Sequence, residues 1–170
     1  MVYHQALICV NGHCVSSSID ASPEAEQKFC SKCGEKTISA CPNCHSEIRG
    51  RYNATSRVCL EEYKVPPYCH NCGEAYPWTL AAMEGATEII IEADGCSDED
   101  KEKLANSLPY IMMETPKTQL AITRIKKALL VVDEFTADAI RQFALAYGCD
   151  LTKREIGRAN ILALKSVQSV

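Results

Sequence analysis

The sequence predicts an α+β protein in which short, cysteine-pinned β-hairpins form the first half and helices form the second. Three observations lead there. Nine of the eleven cysteines lie before residue 73, most of them in C-x-x-C pairs. Beyond residue 79 apolar side chains recur at spacings of three and four, the period of an amphipathic helix. Between the two, Tyr76-Pro77-Trp78-Thr79 marks a change of composition, which places a boundary at 78/79.

The pairs are Cys9 with His13, Cys30 with Cys33, Cys41 with Cys44, and Cys69 with Cys72. Together they supply eight soft or borderline ligands, enough to close two tetrahedral Zn²⁺ sites. Cys30-Ser31-Lys32-Cys33-Gly34 and Cys69-His70-Asn71-Cys72-Gly73 read alike and serve as closing knuckles, their glycines supplying the positive φ that such a turn needs. Joining neighbouring pairs gives one ribbon over about 4–38 and a second over about 39–78. A cross-braced pairing, first with third and second with fourth, stays open. Within the first knuckle Asn11-Gly12 turns His13 back toward Cys9, with Cys14 the competing ligand.

A disulfide scaffold fits less well. The cysteines are odd in number, and Met1-Val2-Tyr3-His4-Gln5 does not open a signal peptide, so a reduced, cytoplasmic setting is expected. Asn53-Ala54-Thr55 is then a chance match to a glycosylation acceptor. Redox use of a C-x-x-C calls for a βαβ setting that is not seen here, and catalytic zinc keeps an open ligand position. His4 is left unassigned, His45 and His70 are read as solvated or supporting imidazoles, and Cys96 and Cys149 as small apolar residues.

In the second half, 79–170, a helix is expected from Thr79 to about Ala93, stopped by Asp94-Gly95. Ser97 with Asp100 resembles a capping box for a helix through Leu108, ended by Pro109. Thr115-Pro116 opens the next helix, with Ile122, Ile125, Leu129 and Val132 as its apolar stripe. Another runs from about Glu134 to Tyr147 and stops at Gly148. Thr152 with Glu155 caps a last one over Lys153 to Ser166, with 160–164 as an alternative strand. No run is long enough to span a bilayer. The apolar faces are expected to pack on one another, on a second subunit or on the ribbons.

Cys9-Val10-Asn11-Gly12-His13, Phe29-Cys30-Ser31-Lys32-Cys33-Gly34, Cys41-Pro42-Asn43-Cys44, Ile48-Arg49-Gly50 and the stretch from Tyr63 through Tyr76-Pro77-Trp78 carry a resemblance. Ser107-Leu108-Pro109 and Glu114-Thr115-Pro116 extend it, and it fades beyond about Val132. The chain resembles a group of bacterial proteins known only as a domain of unknown function, with a double zinc ribbon followed by helices. The resemblance implies zinc binding and a bacterial cytoplasmic setting, favours His13 over Cys14, leaves Cys59 as a structural or free thiol, and implies no activity.

Charge weighs against general nucleic-acid binding. Residues 1–78 hold seven Lys and Arg against eight Asp and Glu, and the remainder eleven against fourteen. Zinc held by four thiolates adds about two negative charges, and by three thiolates with a neutral imidazole about one, so neither half carries the basic excess that phosphate binding needs. One local feature runs the other way: Arg49, Arg51, Arg57 and Lys64 interleave with Tyr52, Tyr63 and Tyr68 in the long connection expected to form the tip of the second ribbon. Such a set can stack on bases, anchor a protein partner, or simply pack a hairpin. The sequence therefore favours a zinc-stabilised protein-interaction or adaptor module, with a nucleic-acid-binding regulator as the alternative and an enzyme third.

Overall fold

The computed structural model describes residues 2–53 and 63–157 of the chain, which divides into two compact units, Met1–Ala81 and Ala82–Val170. Short antiparallel strands fill the first and helices the second, so the α+β architecture stands.

Five strands build the first unit: β1 (Val2–Gln5), β2 (Leu7–Cys9), β3 (Cys14–Ser16), β4 (Thr37–Ile38) and β5 (Arg49–Asn53). β2 is buried throughout and sits between β3 and β4, with Ile8 opposite both Cys14 and Ile38. The opening strand β1 does not join this sheet. It pairs with β5 in the segment expected to belong to the second ribbon, Tyr3 lying opposite Tyr52 and Gln5 opposite Arg49. The two ribbons are thus stitched together, and one apolar cluster of Ala6, Ile8, Ile48, Tyr76 and Trp78 serves both. Gly50 is required at the seam, because a Cβ there would lie 2.1 Å from the Ser17 carbonyl oxygen. Trp78 stacks on Tyr76 at 4.6 Å, donates its indole N–H to the Pro66 carbonyl, and covers Gly12, whose missing side chain leaves it room.

The second unit contains most of α1 (Pro77–Glu92), then α2 (Asp98–Ala105), α3 (Leu108–Met112), α4 (Thr118–Ala128) and α5 (Glu134–Tyr147), with α6 described over 150–157. Ile90, Leu108, Ile111, Ile122, Ile125 and Ile156 are almost wholly buried and form the centre of its core. None of the described helices is long and apolar enough to cross a membrane.

Local chemistry fixes where these helices start and stop. Ser97 caps α2 by accepting the Asp100 N–H, and Asp133 caps α5 by accepting the Thr136 N–H, as side-chain oxygens do at helix N-termini. Pro109 was expected to end a helix, yet it lies in the first turn of α3, where its missing N–H removes no internal bond. The break comes earlier, at Asn106-Ser107, and the Ser107 hydroxyl bonds back to the Lys103 carbonyl. Thr115-Pro116 forms a turn before α4 rather than its first residues, and α4 ends at Ala128, leaving Val132 beyond it. Gly148 ends α5 in an extended conformation, not a left-handed one. A side chain there would meet the Ala144 carbonyl at 2.2 Å. Thr152 lies inside α6, where its buried hydroxyl donates to Ile111 O, so it does not cap that helix. The expected continuation to Ser166 and the alternative strand at 160–164 fall outside the described residues.

Thr118 ties the turn before α4 together, accepting the Thr115 N–H at 2.8 Å and donating to Met113 O at 2.7 Å. Because it is buried, Thr118→Val keeps the shape but leaves both partners unsatisfied. Urea unfolding followed by helical circular dichroism is expected to show a loss of about 2 kcal/mol.

Candidate metal centres

Three knuckles repeat one backbone design. At Cys30, Cys41 and Cys69 the cysteine N–H donates five residues ahead, to Glu35, Ser46 and Glu74. Its carbonyl accepts the N–H four residues ahead, from Gly34, His45 and Gly73. A bridge flanks each turn: Phe29 with Lys36, Ala40 with Glu47, Tyr68 with Ala75. The residue after the second cysteine takes a positive φ, 75° at Gly34, 76° at Gly73 and 60° at His45. His45 therefore occupies a glycine position, which explains its place beside the ligands although it is not one of them. The first knuckle is a tighter hairpin turn in which Gly12, at φ 85°, brings the His13 N–H to 3.3 Å from the Cys9 sulfur.

These turns assemble two groups of four, Cys9, His13, Cys30 and Cys33, then Cys41, Cys44, Cys69 and Cys72. Within each group all ligand atoms lie within 4.8 Å of one another. Neighbouring pairs are joined, as the sequential reading expects, and the cross-braced pairing is not formed. In the first group Cys9 and Cys33 Sγ are 3.8 Å apart, and His13 Nδ1 lies 3.5 Å from Cys9 Sγ and 3.3 Å from Cys33 Sγ. In the second, Cys41 to Cys72 is 3.8 Å and Cys44 to Cys69 is 3.6 Å. Sulfurs bonded to one another would be about 2.05 Å apart. A tetrahedral ion with bonds of about 2.3 Å has sulfur–sulfur edges of about 3.8 Å, so these spacings fit a metal ion. Cys14 opens strand β3 and stands outside the group.

The surroundings favour thiolates unevenly. N–H groups of Lys32 and Cys33, opposed by some burial, hold the Cys30 thiol down to about 6. The Ser46 hydroxyl and N–H, with the Asn71 amide, take Cys44 down to about 5. At Cys72 the Glu74 N–H pulls downward, but burial and the neighbouring Cys44 and Cys69 sulfurs push it up to about 11. Protein donors thus favour the thiolate at some of the four cysteines, while Cys72 keeps its proton unless a bound cation displaces it. Asn11 donates to Cys33 Sγ and Asn71 to Cys44 Sγ, each amide reaching a sulfur of the opposite knuckle of its own group. Such bonds orient ligands and were not foreseen from the cysteine spacing.

His45 and His70 are exposed, and His4 Nδ1 pairs with the Asp20 carboxylate at 2.9 Å. Arg49, Arg51 and Tyr52 form part of β5 rather than a free ribbon tip. The Arg49 guanidinium lies 4.9 Å above the Tyr3 ring, Tyr3 meets Tyr52 edge-on, and the Tyr63 hydroxyl donates to the Arg49 carbonyl. These groups pack the seam between β1 and β5. Lys64 is exposed, while Arg57 and Cys59 lie outside the described residues.

Two substitutions probe this geometry. His45→Gly removes the strain of a left-handed non-glycine residue and is expected to raise stability by about 1 kcal/mol, read as a shifted denaturant midpoint. His13→Ala is expected to lower bound metal, measured by elemental analysis of the dialysed protein, whereas Cys14→Ser is expected to leave it unchanged.

No curated protein and no solved structure matches this chain. A family model does, over residues 2–155, well past the Val132 limit of the resemblance read from the residues. The chain belongs to the family described as uncharacterized protein conserved in bacteria (DUF2321).

Proposed function

We propose that the protein binds two zinc ions structurally and acts as a protein-interaction module of the bacterial cytoplasm. Zinc is favoured by the ligand chemistry, since three or four thiolates with at most one imidazole in a tetrahedral frame suit it, while oxygen-seeking Mg²⁺ or Ca²⁺ would be poorly served. Four protein ligands at each cluster leave no position for water or substrate, so the ions serve the fold.

The interaction reading rests on the turn between α4 and α5. Leu130 is 84% exposed, Val131 56% and Phe135 78%, three large apolar side chains left exposed within six residues of chain. The turn beneath them is closely built. The Asp133 carboxylate takes the N–H and hydroxyl of Thr136, and Gly95 approaches so closely that a Cβ would sit 2.3 Å from the Val131 carbonyl. Holding an apolar surface in water in this way is what an interface requires.

The test is affinity capture from native lysate at low and high salt, with wild type and a Leu130→Ser/Phe135→Ser variant. Apolar docking predicts protein partners that survive high salt, are lost with the variant, and leave its metal content unchanged. Recovery of mainly nucleic acid, released by salt, would contradict the proposal and favour a nucleic-acid-binding regulator.

A further inference from the structure

The apolar turn continues into a groove along α4. α2 and α3 both pack on α4, and between them lie two hollows of about 300 and 410 Å³. Ser107, Tyr110, Lys117, Leu120 and Arg124 line the first; Asp100, Lys103, Leu104, Lys127 and Val131 line the second, and Arg124 borders both. Residues 117, 124 and 131 are seven apart and so lie on one side of the helix and its continuation, with Leu120 and Lys127 beside them. The groove runs about 20 Å along this side at the helical rise.

Its cations are largely unneutralised. Lys117 donates to the Tyr110 hydroxyl and sits over that ring, and Arg124 makes a long contact of 3.4 Å to the Ser107 hydroxyl. Among the described residues Lys117, Arg124 and Lys127 have no carboxylate partner, whereas Lys103 is matched by Glu99 and Lys126 by Glu155. Three positive charges without a carboxylate partner thus line a groove whose walls are apolar in part, through Leu104, Leu120, Ala121 and Val131, in a chain of net charge −4. We propose that this groove docks an acidic protein segment, whose carboxylates meet Lys117, Arg124 and Lys127 and whose apolar side chains fill the hollows and cover Leu130, Val131 and Phe135. The proposal rests on the protein-interaction reading and names the chemistry of the partner.

The layout separates this partner from other anions. A single phosphate needs converging donors, but Lys117 and Arg124 are about 10 Å apart along the axis. A nucleic-acid backbone, which carries a charge at every unit, could not avoid Asp100 inside the second hollow. A short segment can place its carboxylates on the cations and present apolar groups elsewhere, with a length of about six extended residues.

Fluorescence anisotropy with the zinc-loaded full chain tests this. The probes are a labelled peptide alternating Glu with Leu and Phe, its Gln-for-Glu analogue, and a single-stranded oligonucleotide. The Glu peptide is expected to bind at least about tenfold more tightly than the Gln analogue, and Arg124→Glu/Lys127→Glu to weaken it by about tenfold or more, with zinc content and circular dichroism unchanged. A Lys-for-Glu peptide is expected to regain binding to that variant. Equal binding of the Gln analogue, tighter binding of the oligonucleotide, or no effect of the charge reversal overturns the proposal. Sedimentation showing a dimer that the charge reversal dissociates also overturns it, by assigning the groove to a second copy. If the groove fails while Leu130→Ser/Phe135→Ser still abolishes partner capture, the interaction reading survives and only the acidic partner is wrong.

Discussion

Everything in the first unit depends on eight ligand atoms being held as two tetrahedra. Its strands are only two to five residues long, and its apolar cluster is small, with Ala6, Ile8, Ile48, Tyr76 and Trp78 as its non-cysteine buried members. Hairpins of that size do not hold together in water by themselves. The cysteines contribute twice, as apolar bulk in the case of buried Cys9, Cys30, Cys41 and Cys69 and as ligands that join knuckles distant in sequence. Three or four sulfurs at such spacing repel one another once ionised, so a cation bound at each cluster would contribute its binding energy to the folding of the unit.

The helical unit is stabilised differently. Its core is a continuous set of Ile, Leu, Met, Ala and Phe side chains, with buried hydroxyls such as Thr118 and Thr152 bonded to nearby carbonyls. Among the described side chains no buried polar nitrogen or oxygen is left without a partner. Against that satisfied interior, the cations along α4 and the bare apolar turn after it stand out, since neither contributes to the core. They meet at Val131, and they give the interaction reading a location other than the arginines and tyrosine of β5.

Much of this was legible in the sequence where the determining interactions are local. The C-x-x-C pairs announced the ligand groups, Ser97 announced α2, and the helical stretch stopped by Gly148 announced α5, whose bounds match the expected ones. Interactions between distant segments were not legible. Nothing in Val2–Gln5 specifies that it pairs with Arg49–Asn53, and that pairing converts an apparent ribbon tip into a sheet seam. Pro109 misled because proline both ends helices and begins them, and only the packing of Leu108 and Ile111 decides between the two. Gly34 and Gly73 could have exposed His45, which sits at the equivalent place after Cys44 with the same backbone twist.

The central claim is that two separate ions, one bound by three sulfurs and an imidazole and the other by four sulfurs, hold the first unit. Cadmium-113 NMR of the cadmium-substituted protein tests it most directly. The account predicts two resonances, the four-sulfur site at lower field, with Cys33→Ser perturbing only the higher-field signal and Cys72→Ser only the lower-field one. A single resonance, or either substitution eliminating both, would contradict it.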